Sequence, residues 1–311
     1  WDGNFWRQVD NTTRRGRGFS MGGYVAPNNT TKYIQYFEIA SKGNAQDFGQ
    51  LDQGTNQNSA TGNEIRSLCC GGSSNGSDGY NYVQYFTSAS LGNSQDFGDL
   101  TAARRMSAST GSSTRGLTAG GYVPSTHDTI DYVEIMTLGN SIDFGNLTVA
   151  RRLSEGALSS PTRSVFCGGS TSPGTSNKID YVTTASKGNA TDFGLALFTG
   201  NYQCGCSNTV RGMWAGGSSG TMEKRIGVIT IASGGNAIEF GNLTLARHHA
   251  TGASNSTRAC WAGGDPNPGV KNVIDYITIA SGGEATDFGD MAVPVVYAGG
   301  TSDSHGGLGG F

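Results

Sequence analysis

Charged residues are scarce in this chain of 311 residues, since Asp, Glu, Lys and Arg make up 14% of it, against roughly 25% in an ordinary domain. The formal net charge is −3, which does not provide the basic patch or stripe that nucleic-acid binding requires. The chain also lacks an apolar run of roughly 18 residues, the length that predicts a transmembrane helix. We therefore expect neither a nucleic-acid partner nor insertion into a membrane.

Processing signals are also absent from the residues in hand. The chain opens on Trp1, and no charged segment followed by an apolar segment is visible, so no signal peptide is predicted. We expect the numbering to begin inside a precursor or a larger polypeptide.

Residues that commonly bind metals are few and irregularly placed. The six cysteines do not follow a repeated spacing, which favours small buried residues over a disulfide framework or a zinc site. Cys204 and Cys206 would face the same side of a strand, but neither a His nor a second Cys pair accompanies them. The adjacent His248 and His249 would face opposite sides of a strand, which makes a poor chelate. We therefore predict no metal, no cofactor and no catalytic residues.

Glycine is abundant, with 50 residues of 311 against a usual share of roughly 7%, and much of it recurs at a fixed period. The spacing of both markers is 47 to 49 residues, so the chain contains six sequence repeats. A Gly-Gly pair stands at 22–23, 71–72, 120–121, 168–169, 216–217 and 263–264. The triplet DFG or EFG stands at 47–49, 96–98, 143–145, 192–194, 239–241 and 287–289.

Each repeat contains four short segments typical of β-strands. In residues 147–194 these segments are SEGALSS, RSVFCGG, KIDYVTTA and the piece around TDFG, separated by Gly, Asn, Ser and Pro. Four short strands in 40–50 residues are typical of a propeller blade. The sequence therefore predicts an all-β, six-bladed β-propeller over 1–289, with four antiparallel strands per blade. The copies end near 49, 98, 145, 194, 241 and 289.

The ends of the chain are predicted as follows. Alignment of the copies places the first inner strand in residues 1–14 and leaves a Gly-rich C-terminal tail strand, residues 290–311. The tail carries a seventh Gly pair, Gly299-Gly300, without the other markers. We expect it to augment an outer edge, to plug one face or to link to a neighbouring domain or subunit.

Two charged positions recur in all six copies, which favours a structural role over a single binding site. We expect each Arg to pair with a carboxylate of its own or the neighbouring blade. The alternative is six equivalent metal or ligand sites that use the acidic residues. The basic positions are Arg17, Arg66, Arg115, Arg163, Arg211 and Arg258, and the acidic positions are Asp47, Asp96, Asp143, Asp192, Glu239 and Asp287.

The repeat resembles the kelch repeat, which has an Arg before the inner strand, a Gly-Gly pair and a Tyr in the third strand. These stand here as Arg151, Gly168-Gly169 and Tyr181. The chain departs from the kelch pattern by placing Phe, and not Trp, in the fourth strand. The resemblance implies a face on which the variable loops after each Gly pair meet the connections between blades. Its candidate binding residues are Tyr24, Tyr80, Arg104, Arg105, Tyr122, His127, Arg151, Arg152, Arg247, His248 and Asp265.

The sequence pattern of the repeat, IDYV followed by GN, DFG and AR, also resembles repeats in structural proteins of marine bacteriophages, such as tail-fibre or appendage proteins. This resemblance implies a non-catalytic virion structural protein that binds other virion proteins, or a host-surface glycan or protein, within a larger assembly. Its location would be the virion surface or the extracellular space. The main alternative is a secreted, lectin-like carbohydrate-binding propeller. An intracellular kelch adaptor and an enzyme rank lower, because no partner domain and no convincing catalytic set is found.

Overall fold

The structure is a computed structural model, and it describes residues 16–26, 29–74, 76–153, 155–266 and 269–309. Six four-stranded antiparallel sheets form the blades of a β-propeller, as the sequence predicts. The inner strands of successive blades contact one another in a closed ring around a central channel. Within the described residues, no helix has the length and apolar character to cross a membrane.

Blade 1 takes strands from both ends of the described chain. From the axis outward it consists of β26 (Gly299–Ser302), β1 (Arg17–Met21), β4 (Tyr33–Glu38) and β5 (Gln46–Gln50). A small hairpin of β2 (Tyr24–Val25) and β3 (Asn29–Thr30) lies between β1 and β4.

Blades 2 to 6 are each built from consecutive strands, with the first strand nearest the axis. Blade 2 consists of β6 (Ser59–Gly62), β7 (Arg66–Cys70), β8 (Tyr80–Thr87) and β9 (Gln95–Arg104); blade 3 of β10 (Ala108–Gly111), β11 (Arg115–Ala119), β12 (Thr129–Glu134) and β13 (Ile142–Asn146). Blade 4 consists of β14 (Ala157–Ser159), β15 (Arg163–Cys167), β16 (Lys178–Thr183) and β17 (Thr191–Leu195). Blade 5 consists of β18 (Cys204–Ser207), β19 (Arg211–Ala215), β20 (Arg225–Thr230) and β21 (Ile238–Asn242); blade 6 of β22 (Thr251–Ser254), β23 (Arg258–Ala262), β24 (Val273–Thr278) and β25 (Thr286–Asp290).

The closing strand of the ring comes from the C-terminal tail. Strand β26 pairs antiparallel with β1, with Gly18 opposite Ser302 and Met21 opposite Gly299. The prediction that residues 1–14 supply this inner strand is therefore wrong, and those residues lie outside the described part of the chain. The repeat alignment missed the closing strand because it took each inner strand to precede its second strand in sequence, as it does in blades 2 to 6.

The tail also plugs one end of the channel, as one of the predicted alternatives had it. After β26 the chain forms a single 3₁₀ turn, Gly306–Leu308, whose residues are all buried. His305 Nε2 lies 2.9 Å from the carbonyl oxygen of Gly62, at the end of β6. At Gly307 a Cβ would lie 2.6 Å from Ser159 Oγ, so only glycine fits there. The inner strands and His305 line a cavity of about 40 Å³.

Each repeated Gly pair ends the second strand of its blade in a conformation that favours glycine. Gly120 and Gly121, for example, have φ values of 64° and 114°, in the left-handed region that side chains rarely occupy. This requirement explains why the pair recurs once per blade.

Apolar side chains pack between adjacent blades. Phe48 of blade 1 and Phe86 of blade 2 lie with ring centroids 4.8 Å apart, and Phe19 contacts both rings. The Phe of the DFG triplet is buried in five blades and half-buried only at Phe240. Burying a Phe stabilises the fold by about 1.5–3 kcal/mol.

The six repeated Arg residues join neighbouring blades through backbone carbonyls and not through the DFG carboxylates. Arg163 Nη1 donates to Ile231 O at 2.8 Å, and its guanidinium lies 4.5 Å from the Tyr181 ring centroid. Arg258 Nη1 likewise donates to Ile39 O at 3.0 Å, from blade 6 to blade 1.

The prediction that each of these Arg residues pairs with a carboxylate of its own or the neighbouring blade is therefore wrong for most of them, and no ion pair among the described residues joins one of them to a DFG acid. Those acids lie on the outermost strand of each blade, two strands away from the Arg, and are exposed to solvent. Among the described ion pairs, two of the six Arg contact a carboxylate, Arg17 with Glu38 and Arg115 with Glu134. The exposed acids are Asp47, Asp96, Asp143, Asp192, Glu239 and Asp287.

Candidate functional site

The variable loops and the blade connections meet on one side of the propeller, which we call the loop face. In each blade a β-bridge joins a residue after the Gly pair to a residue before the inner strand of the same blade, so loops and connections share a face, as the kelch resemblance implied. The bridges are Asn56–Ser73, Arg105–Tyr122, Arg152–Ser170, Asn201–Ser218, His248–Asp265 and Tyr24–Val296.

Three residues predicted to bind ligand on this face are instead buried inside blades. Arg104, Arg151 and Arg247 have no solvent-exposed surface. The Arg151 guanidinium contacts the Asp180 carboxylate at 3.0 Å, and Arg247 contacts Asp275 at 3.2 Å. Arg104 pairs with Asp131 in the same way. These three Arg residues stabilise the blades and are not available to a ligand.

The buried Arg and the buried Asp are either both present in a blade or both absent from it. The Asp comes from the IDYV segment of the third strand, and blades 1 and 2 have Gln35 and Gln84 at that position. Both glutamines bond to backbone groups, as Gln84 does to Gln53. Thr55 stands where blade 3 has Arg104, so no cation is left unpaired.

The loop-face end of the channel, which we call the channel mouth, is lined by residues with left-handed backbone. In five connections the residue two positions before the inner strand has a positive φ between 54° and 63°. Their amides link the blades in sequence, as when Met106 N donates to Gln57 O. Non-glycine residues in this region carry strain, which proteins tend to retain at functional sites. These residues are Gln57, Met106, Tyr202, His249 and Tyr297.

Blade 4 differs from this pattern by one extra residue before its inner strand. Cys167 N donates to Gly156 O, so Gly156 is the equivalent of Ala108 in blade 3. Gly156 stands four residues after Arg152, whereas Ala108 stands three residues after Arg105. The insertion places Glu155, with a φ of 72°, at the channel mouth. Its Oε2 accepts a hydrogen bond from Gly300 N of blade 1 at 3.3 Å. Blades 1 and 4 face each other, so this side chain crosses the channel.

The Glu155 carboxyl has few hydrogen-bond partners to stabilise a negative charge. Its Oε1 is buried and has no hydrogen-bond partner among the protein atoms. Burial raises the pKa of Glu155 well above its usual range, and the Gly300 amide opposes this only in part. The neutral acid is therefore the favoured form inside the mouth.

Three aromatic rings form an arc over one half of the mouth. The ring centroids of Tyr202 and His249 lie 4.0 Å apart, and those of His249 and Tyr297 lie 3.8 Å apart. Burial, with His248 and Arg152 nearby, lowers the pKa of His249 well below its usual range. We call Tyr202, His249 and Tyr297 the aromatic arc. The lowered pKa favours the neutral form of the His249 imidazole.

His248 and His249 are closer to each other than expected. The prediction that they face opposite sides of a strand is wrong, because His249 adopts left-handed backbone and its ring centroid lies 4.8 Å from that of His248. In the part of the chain that the structure describes, no group of three or more His, Cys, Asp or Glu residues is arranged to hold a metal ion.

Two arginines flank Tyr122 on the other side of the mouth. The guanidinium carbons of Arg105 and Arg152 lie 5.2 Å and 5.5 Å from the Tyr122 ring centroid. Arg105 Nη1 also donates to Gln57 Oε1 at 2.6 Å. Burial and the charge of Arg152 both lower the pKa of Arg105. We call Arg105, Tyr122 and Arg152 the cationic arc, and the two arcs with Glu155 together form the mouth surface.

The other predicted binding residues lie beside or away from this surface. Tyr24 and Asp265 both influence Tyr297 electrostatically, which places them at the edge of the aromatic arc. His127 Nε2 lies 2.9 Å from Val123 O within its own loop, and the Tyr80 ring packs on Tyr82 at 5.3 Å. Neither residue is brought to the mouth surface.

The sequence reasoning missed Gln57, Met106, Glu155, Tyr202, His249 and Tyr297, because their side chains have no common type. Their regular spacing of 47 to 49 residues was the only available signal.

The six cysteines, Cys69, Cys70, Cys167, Cys204, Cys206 and Cys260, are all buried free thiols, as their irregular spacing predicted. Burial raises the pKa of the Cys70 thiol to about 11, which leaves it protonated and unreactive at neutral pH.

Comparison with protein-family models and with curated proteins gives no match to this chain. The resemblances to kelch and bacteriophage repeats therefore stay predictions.

Substituting Glu155→Gln should make stability less dependent on pH. Because the folded-state pKa is raised, the native protein keeps this proton where the unfolded chain has lost it. The stability contribution is complete below the ordinary carboxyl pKa and is lost as pH rises through the folded pKa. We expect the variant to exceed the parent by about 1–3 kcal/mol at pH 8, measured by urea unfolding from pH 4 to 9.

Glu239→Gln, at an exposed position, is the matched control and should keep the parent's pH dependence. The other titratable groups lining the Glu155 pocket, His249 and Tyr297, have pKa values lowered and raised respectively, so both remain neutral over most of the range. Parallel pH curves for the parent and Glu155→Gln would contradict a buried titrating carboxyl.

Proposed function

We propose that this chain is a non-catalytic binding propeller that holds a glycan or protein ligand at the mouth surface. The observation that carries the proposal is the mouth surface itself, where aromatic and Arg side chains from five blade connections meet, three of them on left-handed backbone. Aromatic and Arg residues contribute much of the binding energy where proteins recognise ligands. The ring of blades beneath them is a rigid scaffold of the kind that carries recognition loops.

We further propose that the propeller works as part of a virion appendage, such as a tail fibre or receptor-binding protein. The sequence pattern of the repeat and the low content of charged residues support a role in a virion appendage. The alternative is a secreted, lectin-like propeller with the same binding surface. A density gradient of the native source separates the two. Co-migration with virus-sized particles supports the appendage, whereas recovery only as free protein supports the lectin.

Removing a ring from the aromatic arc should weaken ligand binding. Tyr297→Ala deletes the phenol ring that packs on His249, and we expect at least a tenfold loss of affinity, the size of a modest hot spot. The measurement is retention of the full chain on an array of microbial surface glycans and on whole host cells. Tyr82→Ala, an exposed tyrosine away from the mouth, should bind as the parent does. Equal binding by both variants would contradict a ligand site at the mouth.

A further inference from the structure

The cationic arc lacks the carboxylate partner that the buried arginines of blades 3, 4 and 6 have. The buried arginines behind it each contact an Asp, as Arg151 does with Asp180. None of the ion pairs among the described residues includes Arg105 or Arg152. Arg105 and Arg152 therefore bring two positive charges together without a protein anion between them.

The environment makes this arrangement costly unless an anion is bound. Arg105 is half-buried, and its buried Nε has no hydrogen-bond partner among the protein atoms. The two guanidinium groups repel each other, as the lowered pKa of Arg105 indicates. The same side chains are held in place from below, by Gln57 for Arg105 and by the Tyr122 ring for both. They are positioned to receive a ligand and have donors left for it.

The nearest acids do not neutralise the pair. Glu155 lies within the channel mouth, where burial raises the pKa of its carboxyl and disfavours its charged form, and it accepts a hydrogen bond from Gly300 N of the opposite blade. Asp265 lies on the aromatic side, bridged to His248. The mouth surface is thus asymmetric, with positive charge on one side and neutral aromatic rings on the other.

We propose that Arg105 and Arg152 bind an acidic group of a polysaccharide, a carboxylate or a sulfate, while adjoining sugar rings lie on the aromatic arc. This inference rests on the proposed function and names the chemical class of its ligand. Two guanidinium groups suit carboxylate and sulfate oxygens because each presents a planar fork of N–H donors. The neutral rings of Tyr202 and Tyr297 are partly exposed on either side of the buried His249 ring. They favour a polysaccharide over an acidic peptide, since they offer flat apolar faces and no second cationic site.

The experiment measures binding of the full chain to four immobilised polymers by surface plasmon resonance. Alginate carries carboxylates, carrageenan carries sulfates, laminarin is a neutral polysaccharide and polyglutamate is an acidic peptide. The variants are Arg105→Gln, Arg152→Gln and Tyr297→Ala. Lys187→Gln is the control, because Lys187 also lies over a tyrosine ring, Tyr132, but in a turn far from the loop face. Thermal unfolding confirms that each variant is folded.

We expect alginate or carrageenan to bind, with affinity falling as salt is raised. Each Arg variant should lose about tenfold or more in affinity, and Lys187→Gln should be unchanged. Binding to alginate alone identifies the group as a carboxylate, and binding to carrageenan alone identifies it as a sulfate.

Four results would overturn the inference. Equal binding to laminarin, with loss in Tyr297→Ala but not in the Arg variants, would leave the mouth as a ligand site and remove its acidic specificity. Binding to polyglutamate alone would make the partner an acidic protein. Acidic polysaccharide binding that survives both Arg variants, or no binding to any of the four polymers, would remove the assignment of these arginines.

Discussion

A chain ending at Ala298 should fail to form the closed propeller. This truncation removes β26, so β1 loses its inner partner and the ring is left open between blades 6 and 2. Strand β26 is also tied to its neighbours by side chains, as when Ser302 Oγ donates to Ser254 O. An open ring exposes a sheet edge and the cores of two blades. We expect loss of cooperative thermal unfolding and aggregation, measured by circular dichroism and size-exclusion chromatography.

The matched control is a chain ending at Ser304, which keeps β26 and lacks the turn that plugs the channel. Because the ring stays closed, we expect it to unfold cooperatively, with a midpoint a few degrees lower from the loss of one buried Leu. If residues 1–14 could supply the inner strand, as the repeat alignment suggested, the chain ending at Ala298 would remain folded. Cooperative unfolding of that chain near the parent midpoint would therefore contradict closure by the tail.

Replacing Asp180 by Ala should destabilise the protein by about 3–5 kcal/mol. The change leaves the fully buried Arg151 guanidinium without its anion, and removes the acceptor for the Thr148 hydroxyl. The double variant Arg151→Thr/Asp180→Gln copies the residues that blade 2 has at these positions, Thr55 and Gln84. It should recover most of the lost stability because no buried charge remains unpaired. Urea unfolding of the parent and both variants provides the measurement.

An exposed ion pair in the same blade serves as the control. Lys178 and Asp192 lie 3.9 Å apart with both side chains largely in solvent. Removing the Asp192 carboxylate should change stability by less than about 1 kcal/mol, as surface pairs do. If Asp180→Ala cost no more than Asp192→Ala, the buried pair would not stabilise blade 4.

Much of the fold could be predicted because the repeat preserves local requirements. The Gly pair needs left-handed backbone, and the Phe of DFG must fill a gap between blades. Both requirements recur in the six copies, so the residues that meet them stand at a fixed spacing in the sequence. The partners of the repeated Arg could not be predicted, because they are backbone carbonyls of the next blade and carry no residue identity. The sequence also could not distinguish Arg104, which is buried with Asp131, from Arg105, which faces the mouth, because the two residues are adjacent and of the same type.

The candidate site was predicted only in part. Arg105, Tyr122, Arg152 and His248 were chosen from the variation among loops and lie at or beside the channel mouth. The aromatic arc and Glu155 were missed, because Tyr202 and Tyr297 lie far apart in sequence and share no motif. The one-residue insertion that places Glu155 over the channel changes the spacing too little to attract notice.

The sequence by itself determined the number of blades, the four strands of each blade and the residues that pack between them, because these depend on local pattern repeated at a fixed period. Only the tertiary structure decided which end of the chain closes the ring, which arginines are buried with an acid, and which side chains meet at the channel mouth. Those outcomes depend on contacts between blades that are distant in sequence. Ring closure brings such residues together in space without requiring any common pattern among them.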